Sequence, residues 1–171
     1  MTTLTAFQLT PLGLFHTVVS LVAVVAAFAA LFKDKEISSR TPIGQLYLLS
    51  LLITTLTGFP IFRHGSIGPP HIVGAVTLVA LASAAVAEKS RAFGRGGPYV
   101  RTISYSATVL LLMIPAVTET LTRVPPAAPL VAGPEAPIFK PLYLILIVLF
   151  VIGVTRQVQR LRLRTESATA G

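Results

Sequence analysis

The stretch PLGLFHTVVSLVAVVAAFAALF, residues 11–32, contains no Asp, Glu, Lys or Arg. A helix of about 20 apolar residues crosses the hydrocarbon core of a bilayer, so this stretch predicts a membrane span. Four further apolar stretches follow, at residues 43–62, 69–87, 102–122 and 138–155. We therefore predict an all-α fold, a bundle of about five transmembrane helices. Residues 1–155 form this single bundle, and residues 156–171 form a basic C-terminal tail.

The composition of the whole chain agrees with a membrane protein. Hydrophobic residues make up 53% of the chain and charged residues only 12%, whereas soluble domains carry about 25% charged residues. The chain has no cysteine, which excludes disulfides, thiolate metal ligands and covalently attached c-type haem. The net charge is +8, and the basic residues that produce it lie beside apolar spans. We therefore expect the lipid bilayer as partner and no nucleic acid.

The distribution of basic residues predicts the orientation. Eleven of the fourteen Lys and Arg residues follow spans one, three and five, and only Arg63, Arg123 and Lys140 lie on the other side. The positive-inside rule then places the N-terminus outside and the C-terminus in the cytoplasm. Span one lacks a basic n-region and a small-residue cleavage site, so we expect it to be a retained helix and not a signal peptide.

Six ionisable residues fall near the outer ends of the spans: His16, Arg63, His64, His71, Glu119 and Arg123. Ionisable groups at membrane depth are costly and are candidates for function. They also have structural interpretations. His71 follows Pro69 and Pro70, where its imidazole can cap exposed backbone N–H groups, and Glu119 can form an i, i+4 ion pair with Arg123.

Several motifs together resemble a known family. They are LGLFHT at 12–17, SRTPIGQLY at 39–47, IFRHGSIGPPHIVGAVTLVAL at 61–81 and TISYSATVLLLMIPAVTETLTRVP at 102–125. This combination resembles the bacterial multi-pass membrane proteins grouped as domain of unknown function 2306. The resemblance implies family positions at His16, Arg40, Gly44, Tyr47, His71, Ser104, Tyr105, Glu119 and Arg123. It departs from the family pattern at Ser39, where a histidine is expected before Arg40. A bacterial inner (cytoplasmic) membrane is the expected location.

Three functions remain open from the sequence. We favour a non-catalytic accessory or structural subunit of a membrane complex, with other membrane subunits or further copies of the chain as partners. In the second, His16 and His71 are cofactor ligands of one b-type haem, and the protein transfers electrons. In the third, His16, His71 and Glu119, with His64, bind a divalent metal at the outer face. No catalytic motif is present, so the sequence leans away from an enzyme.

Overall fold

The computed structural model describes residues 10–61 and 68–169, and this part of the chain is helical with no β-strand. Five α-helices follow one another, and a short 3₁₀ turn, Gly94–Gly96, precedes the fourth. The helices are α1 (Pro11–Lys33), α2 (Pro42–Gly58), α3 (Pro69–Lys89), α4 (Gly97–Arg123) and α5 (Phe139–Thr169). The predicted all-α fold is confirmed.

The first two helices begin where Thr-Pro pairs occur in the sequence. The Oγ1 of Thr10 accepts a hydrogen bond from the Gly13 N–H at 3.1 Å, and Thr41 Oγ1 accepts one from the Gly44 N–H at 3.2 Å. These bonds satisfy N–H groups that have no partner inside the helix. Proline follows each threonine because a residue in the first turn needs no N–H donor.

Four of the five helices are long and apolar enough to cross a bilayer, namely α1, α3, α4 and α5. Helix α2 has 17 residues, about 26 Å at 1.5 Å per residue, against a hydrocarbon core of about 30 Å. It ends at Gly58, four residues before the predicted end of the second span. Although α2 is four residues shorter than predicted at this end, it is still an apolar helix.

Helices α4 and α5 both extend beyond their predicted spans. Helix α4 starts at Gly97, because Pro98 occupies the first turn, where proline is tolerated. Helix α5 continues to Thr169, so residues 156–169 of the predicted tail belong to the same helix as the last apolar stretch. Arg and Gln are good helix formers, and this basic stretch has no Gly or Pro to end the helix.

Side-chain contacts show that successive helices run antiparallel. His16 in α1 meets Thr57 in α2, and Thr118 in α4 meets Tyr143 in α5. The bundle thus has two ends. We call one the basic end, formed by residues 33–41, 88–101 and 156–164. The other is the histidine end, formed by the first two turns of α1, the first turn of α3, residues 57–61 and residues 118–143.

The core is thin and is built from small side chains of α1. Four alanines of α1 belong to one cluster with buried side chains of α2, α3, α4 and the α1–α2 connection. The cluster comprises Ala23, Ala26, Ala27, Ala30, Ile37, Tyr47, Leu51, Ala84, Tyr105 and Leu112. Lipid tails are as apolar as leucine, so helices in a bilayer associate through close packing of small residues and through hydrogen bonds. The larger apolar side chains of α1 and α5 point outward.

Candidate functional site

His16 lies in the second turn of α1, against the last turn of α2. Its Nδ1 is 3.1 Å from Thr57 Oγ1. The hydroxyl proton of Thr57 is directed at the Ile53 carbonyl at 2.8 Å, so His16 Nδ1–H donates to Thr57 Oγ1. A Cβ on Gly58 would lie 3.3 Å from His16 Cε1. The missing side chain of Gly58 therefore leaves room for the imidazole between the two helices.

His71 closes the start of α3. Its Nδ1 accepts a hydrogen bond from the Gly68 N–H at 3.2 Å, and its Nε2–H donates to the Phe59 carbonyl at 3.1 Å. This is the capping role suggested by the two preceding prolines, with an added bond to the end of α2. Both ring nitrogens have backbone partners, which fixes the tautomer and the orientation of the ring. Gly74, one turn further, lets Thr55 of α2 and Phe59, which follows α2, approach α3.

Glu119 and Arg123 form an ion pair one turn apart on α4. Their helix runs without interruption through Pro115. Close by, Thr118 and Tyr143 share a hydrogen bond of 2.6 Å between their hydroxyl oxygens, which ties α4 to α5. The polar groups of α4 at the histidine end thus join neighbouring turns and neighbouring helices. His64, the remaining predicted ligand, lies outside the described residues, as does Arg63.

The geometry gives no support to a haem or metal site at these positions. An axial haem ligand and a zinc ligand both need a free imidazole nitrogen, and the two nitrogens of His71 bond the backbone. Within residues 10–61 and 68–169, no three His, Asp or Glu side chains are placed to share a metal ion. The haem and metal assignments of His16, His71 and Glu119 remain predictions.

The most connected polar cluster lies at the basic end and centres on Glu88, which the sequence interpretation did not select. Glu88 Oε1 accepts a hydrogen bond from Ser39 Oγ at 2.7 Å, and Oε2 accepts one from Tyr105 O–H at 2.9 Å. The carboxylate side chain is 11% exposed. Arg40 Nε lies 3.8 Å from Oε1, but the Arg40 side chain is 76% exposed, so this ion pair adds little.

Two buried residues connect this cluster to the centre of the bundle. Tyr47 of α2 and Thr108 of α4 share a hydrogen bond of 2.8 Å, and Thr108 Oγ1 donates to the Tyr105 carbonyl at 2.7 Å. The hydroxyl proton of Thr108 is committed to that carbonyl, so the Tyr47 O–H donates to Thr108. Tyr105 therefore contacts α3 through its hydroxyl and is linked to Tyr47 of α2 through Thr108. We call Ser39, Tyr47, Glu88, Tyr105 and Thr108 the Glu88 cluster.

Gly44 fits the same region by lacking a side chain. A Cβ at this position would overlap the carbonyl oxygen of Ser38, so the α1–α2 connection folds directly over the first turn of α2. Four positions singled out by the family resemblance thus lie in or beside the Glu88 cluster: Arg40, Gly44, Tyr47 and Tyr105. Their partner Glu88 falls one residue after the predicted third span and is not among the predicted site residues. The one feature of the sequence that could have pointed to Glu88 is its position directly between an apolar span and Lys89.

Comparison with protein-family models, with curated proteins and with solved structures gave no match. The resemblance to the domain of unknown function 2306 family therefore remains a prediction.

Proposed function

We propose that this chain is a non-catalytic accessory or structural subunit of a membrane complex. The observation that supports this best is the use of His71: both ring nitrogens hold backbone groups of Gly68 and Phe59. His71, a histidine that could have been a haem or metal ligand, thus joins the start of α3 to the end of α2. The contacts of His16 with Thr57 and of Glu119 with Arg123 have the same character.

The lateral surface of α5 supports a role in assembly. Within the described chain, α5 packs against α4, and its most apolar stretch has no buried residue. Leu144, Ile145, Val148, Leu149 and Ile152 are all exposed. In a bilayer such a surface faces lipid or a helix of another subunit. A last helix held on one side only is suited to contact a partner on the other.

The orientation is part of the proposal. The basic end collects eleven Lys and Arg residues, so we place it in the cytoplasm and the histidine end outside, in a bacterial inner membrane. The chain has no cysteine, which makes single-cysteine labelling free of background. A cysteine at the exposed Ala127 should react with a membrane-impermeant maleimide in spheroplasts. One at the exposed Ser90 should react only after lysis, and the reverse pattern would overturn the orientation.

Photo-cross-linking in native membranes tests the subunit role. A photoreactive residue at Leu149 of α5, which is 60% exposed, should give one protein adduct of constant mass and yield. The matched control is Val25 of α1, which is 68% exposed and should give mainly lipid adducts. Lipid adducts alone at Leu149, Ile145 and Ile152 would contradict a partner on α5.

A further inference from the structure

A shallow depression at the basic end lies between the α1–α2 connection and the last third of α5. One wall carries Asp34, Lys35 and Glu36, and the other carries Gln157, Arg160 and Arg164. Three basic and two acidic side chains thus line one small depression. This mixture differs from the rest of the basic end, where most charged groups are exposed and of one sign.

The depression lies at the depth of lipid headgroups if the bundle crosses a bilayer as proposed above. Gln157 comes 18 residues after Phe139, the first residue of α5, which is about 27 Å along the helix, and Arg164 is about 38 Å along it. The hydrocarbon core is about 30 Å thick. Groups between these heights therefore meet phosphate and amine groups of the cytoplasmic leaflet.

Both walls are held in place by contacts within the chain. Gln157 is buried, and its Oε1 accepts a hydrogen bond from Ser106 of α4 at 2.6 Å. Asp34 ends α1, with its backbone N–H bonded to the Ala30 carbonyl at 2.8 Å. Lys35 follows in the left-handed region with φ 63°. The sharp turn at Lys35 directs the connection toward α5, where Glu36 Oε1 lies 3.7 Å from Arg164 Nη1.

Asp34 and Arg160 give the depression its capacity to bind. Asp34 Oδ2 is shielded from solvent and has no hydrogen-bond donor among the described residues. A buried carboxylate oxygen without a donor is costly. Arg160 lines the opposite wall and is exposed, with no carboxylate partner among residues 10–61 and 68–169. The depression therefore places the carboxylates of Asp34 and Glu36 on one wall, for an ammonium group, and a cation, Arg160, on the other wall, for an anion.

We propose that this depression binds the headgroup of a phospholipid with a primary amine, such as phosphatidylethanolamine. The phosphate contacts Arg160, because a guanidinium group donates strong charge-assisted hydrogen bonds to phosphate oxygens. The ammonium donates to the wall formed by Asp34 and Glu36. A purely anionic headgroup would meet these carboxylates, and a choline headgroup has no N–H to donate. This inference rests on the membrane placement in the proposed function and not on a subunit role.

Lipid titration with native mass spectrometry tests the site on the delipidated full-length protein. The probes are phosphatidylethanolamine, phosphatidylcholine and phosphatidylglycerol with identical acyl chains. We expect phosphatidylethanolamine to bind about tenfold more tightly than phosphatidylcholine, the value of one charge-assisted hydrogen bond. Equal binding of these two lipids, or tightest binding of phosphatidylglycerol, would overturn the proposal.

Substitutions assign the two halves of the headgroup. Asp34→Asn should abolish the preference for phosphatidylethanolamine over phosphatidylcholine, whereas Arg160→Gln should weaken both lipids about equally. Arg162→Gln, on the same helix but outside the depression, is the matched control and should change neither. Should Asp34→Asn fail to fold by circular dichroism, Glu36→Gln tests the same wall. If the folded Asp34→Asn or Glu36→Gln variant still prefers phosphatidylethanolamine over phosphatidylcholine to the same degree, these carboxylates do not bind the ammonium group.

Soluble phosphoethanolamine distinguishes a lipid from a free metabolite. It should not displace phosphatidylethanolamine at equal concentration, because it lacks the acyl chains that hold the headgroup at this depth. Displacement at equal concentration would overturn a lipid site. None of these results alters the cross-linking test at Leu149, so failure of the headgroup site and failure of the subunit role are separable.

Discussion

The hydrogen bond between Tyr105 and Glu88 gives the sharpest prediction about stability. Tyr105→Phe removes the hydroxyl that donates to Glu88 Oε2 at 2.9 Å and leaves the ring in place. Hydrogen bonds to charged groups contribute about 1.5–3 kcal/mol in soluble proteins. Bonds between membrane helices average about 0.6 kcal/mol, with a maximum near 1.7 kcal/mol. Because Glu88 is charged and 11% exposed, we expect a coupling energy of about 1 kcal/mol.

A double-mutant cycle isolates this energy. The variants are Tyr105→Phe, Glu88→Ala and the two combined, each unfolded by SDS titration from mixed micelles and followed by far-ultraviolet circular dichroism. Tyr99→Phe, on the same helix but without a hydrogen bond to Glu88, provides the matched control cycle. Its free energies should add to those of Glu88→Ala within about 0.3–0.5 kcal/mol.

The two cycles decide whether the Glu88 cluster joins the helices. A coupling energy for Tyr105 and Glu88 no larger than the control value would contradict a stabilising hydrogen bond between them. It would mean that the carboxylate is solvated in the membrane-bound protein and that α3 and α4 are held by packing alone. A coupling near 1 kcal/mol would place the cluster among the interactions that fix the arrangement of α2, α3 and α4.

Three further predictions concern other contacts, each measured by the same SDS titration. Gly44→Ala should destabilise the protein by about 3 kcal/mol through overpacking against the α1–α2 connection. Gly153→Ala, whose Cβ would meet nothing within 4 Å, is the control and should be neutral or stabilise the protein by up to about 1 kcal/mol. Equal effects of the two substitutions would contradict an overlap between a Cβ at position 44 and the Ser38 carbonyl. His71→Ala should cost about 1 kcal/mol through loss of the helix cap, and an unchanged midpoint would argue against that role. The double variant Glu119→Gln, Arg123→Gln should lose about 0.5 kcal/mol less free energy of unfolding than Glu119→Gln alone, because no lone charge remains. A double variant less stable than both single variants would count against the ion pair.

Local signals in the sequence predicted the helices well where a cap was present. Thr10 and Thr41, each followed by proline, lie at the starts of α1 and α2, because a cap involves residues within one turn. Helix α4 starts at Gly97, five residues before the predicted span at Thr102, because the polar first turn of a helix need not lie inside the apolar span. The predicted tail after residue 155 belongs largely to α5, because a change from apolar to basic residues ends a membrane span but does not end a helix.

The candidate site depended on contacts that sequence patterns do not contain. The cap of Gly68 by His71 spans three residues and was foreseen as one alternative. The bond from the same ring to Phe59 depends on how α2 meets α3. Ser39, Glu88 and Tyr105 are separated by 49 and 17 residues, so only the packing of helices brings them together. Glu88 therefore could not be distinguished from a solvated carboxylate beside a basic loop.

We propose that the polar groups at membrane depth hold helices together and bind no cofactor. An absorption spectrum of the detergent-purified protein, oxidised and dithionite-reduced, with metal analysis of the same sample, is the test of this proposal. We expect no reduced-minus-oxidised haem signal and no metal at a constant ratio to the chain. One haem or one metal ion per chain, lost in both His16→Ala and His71→Ala while the protein stays in the membrane, would contradict it.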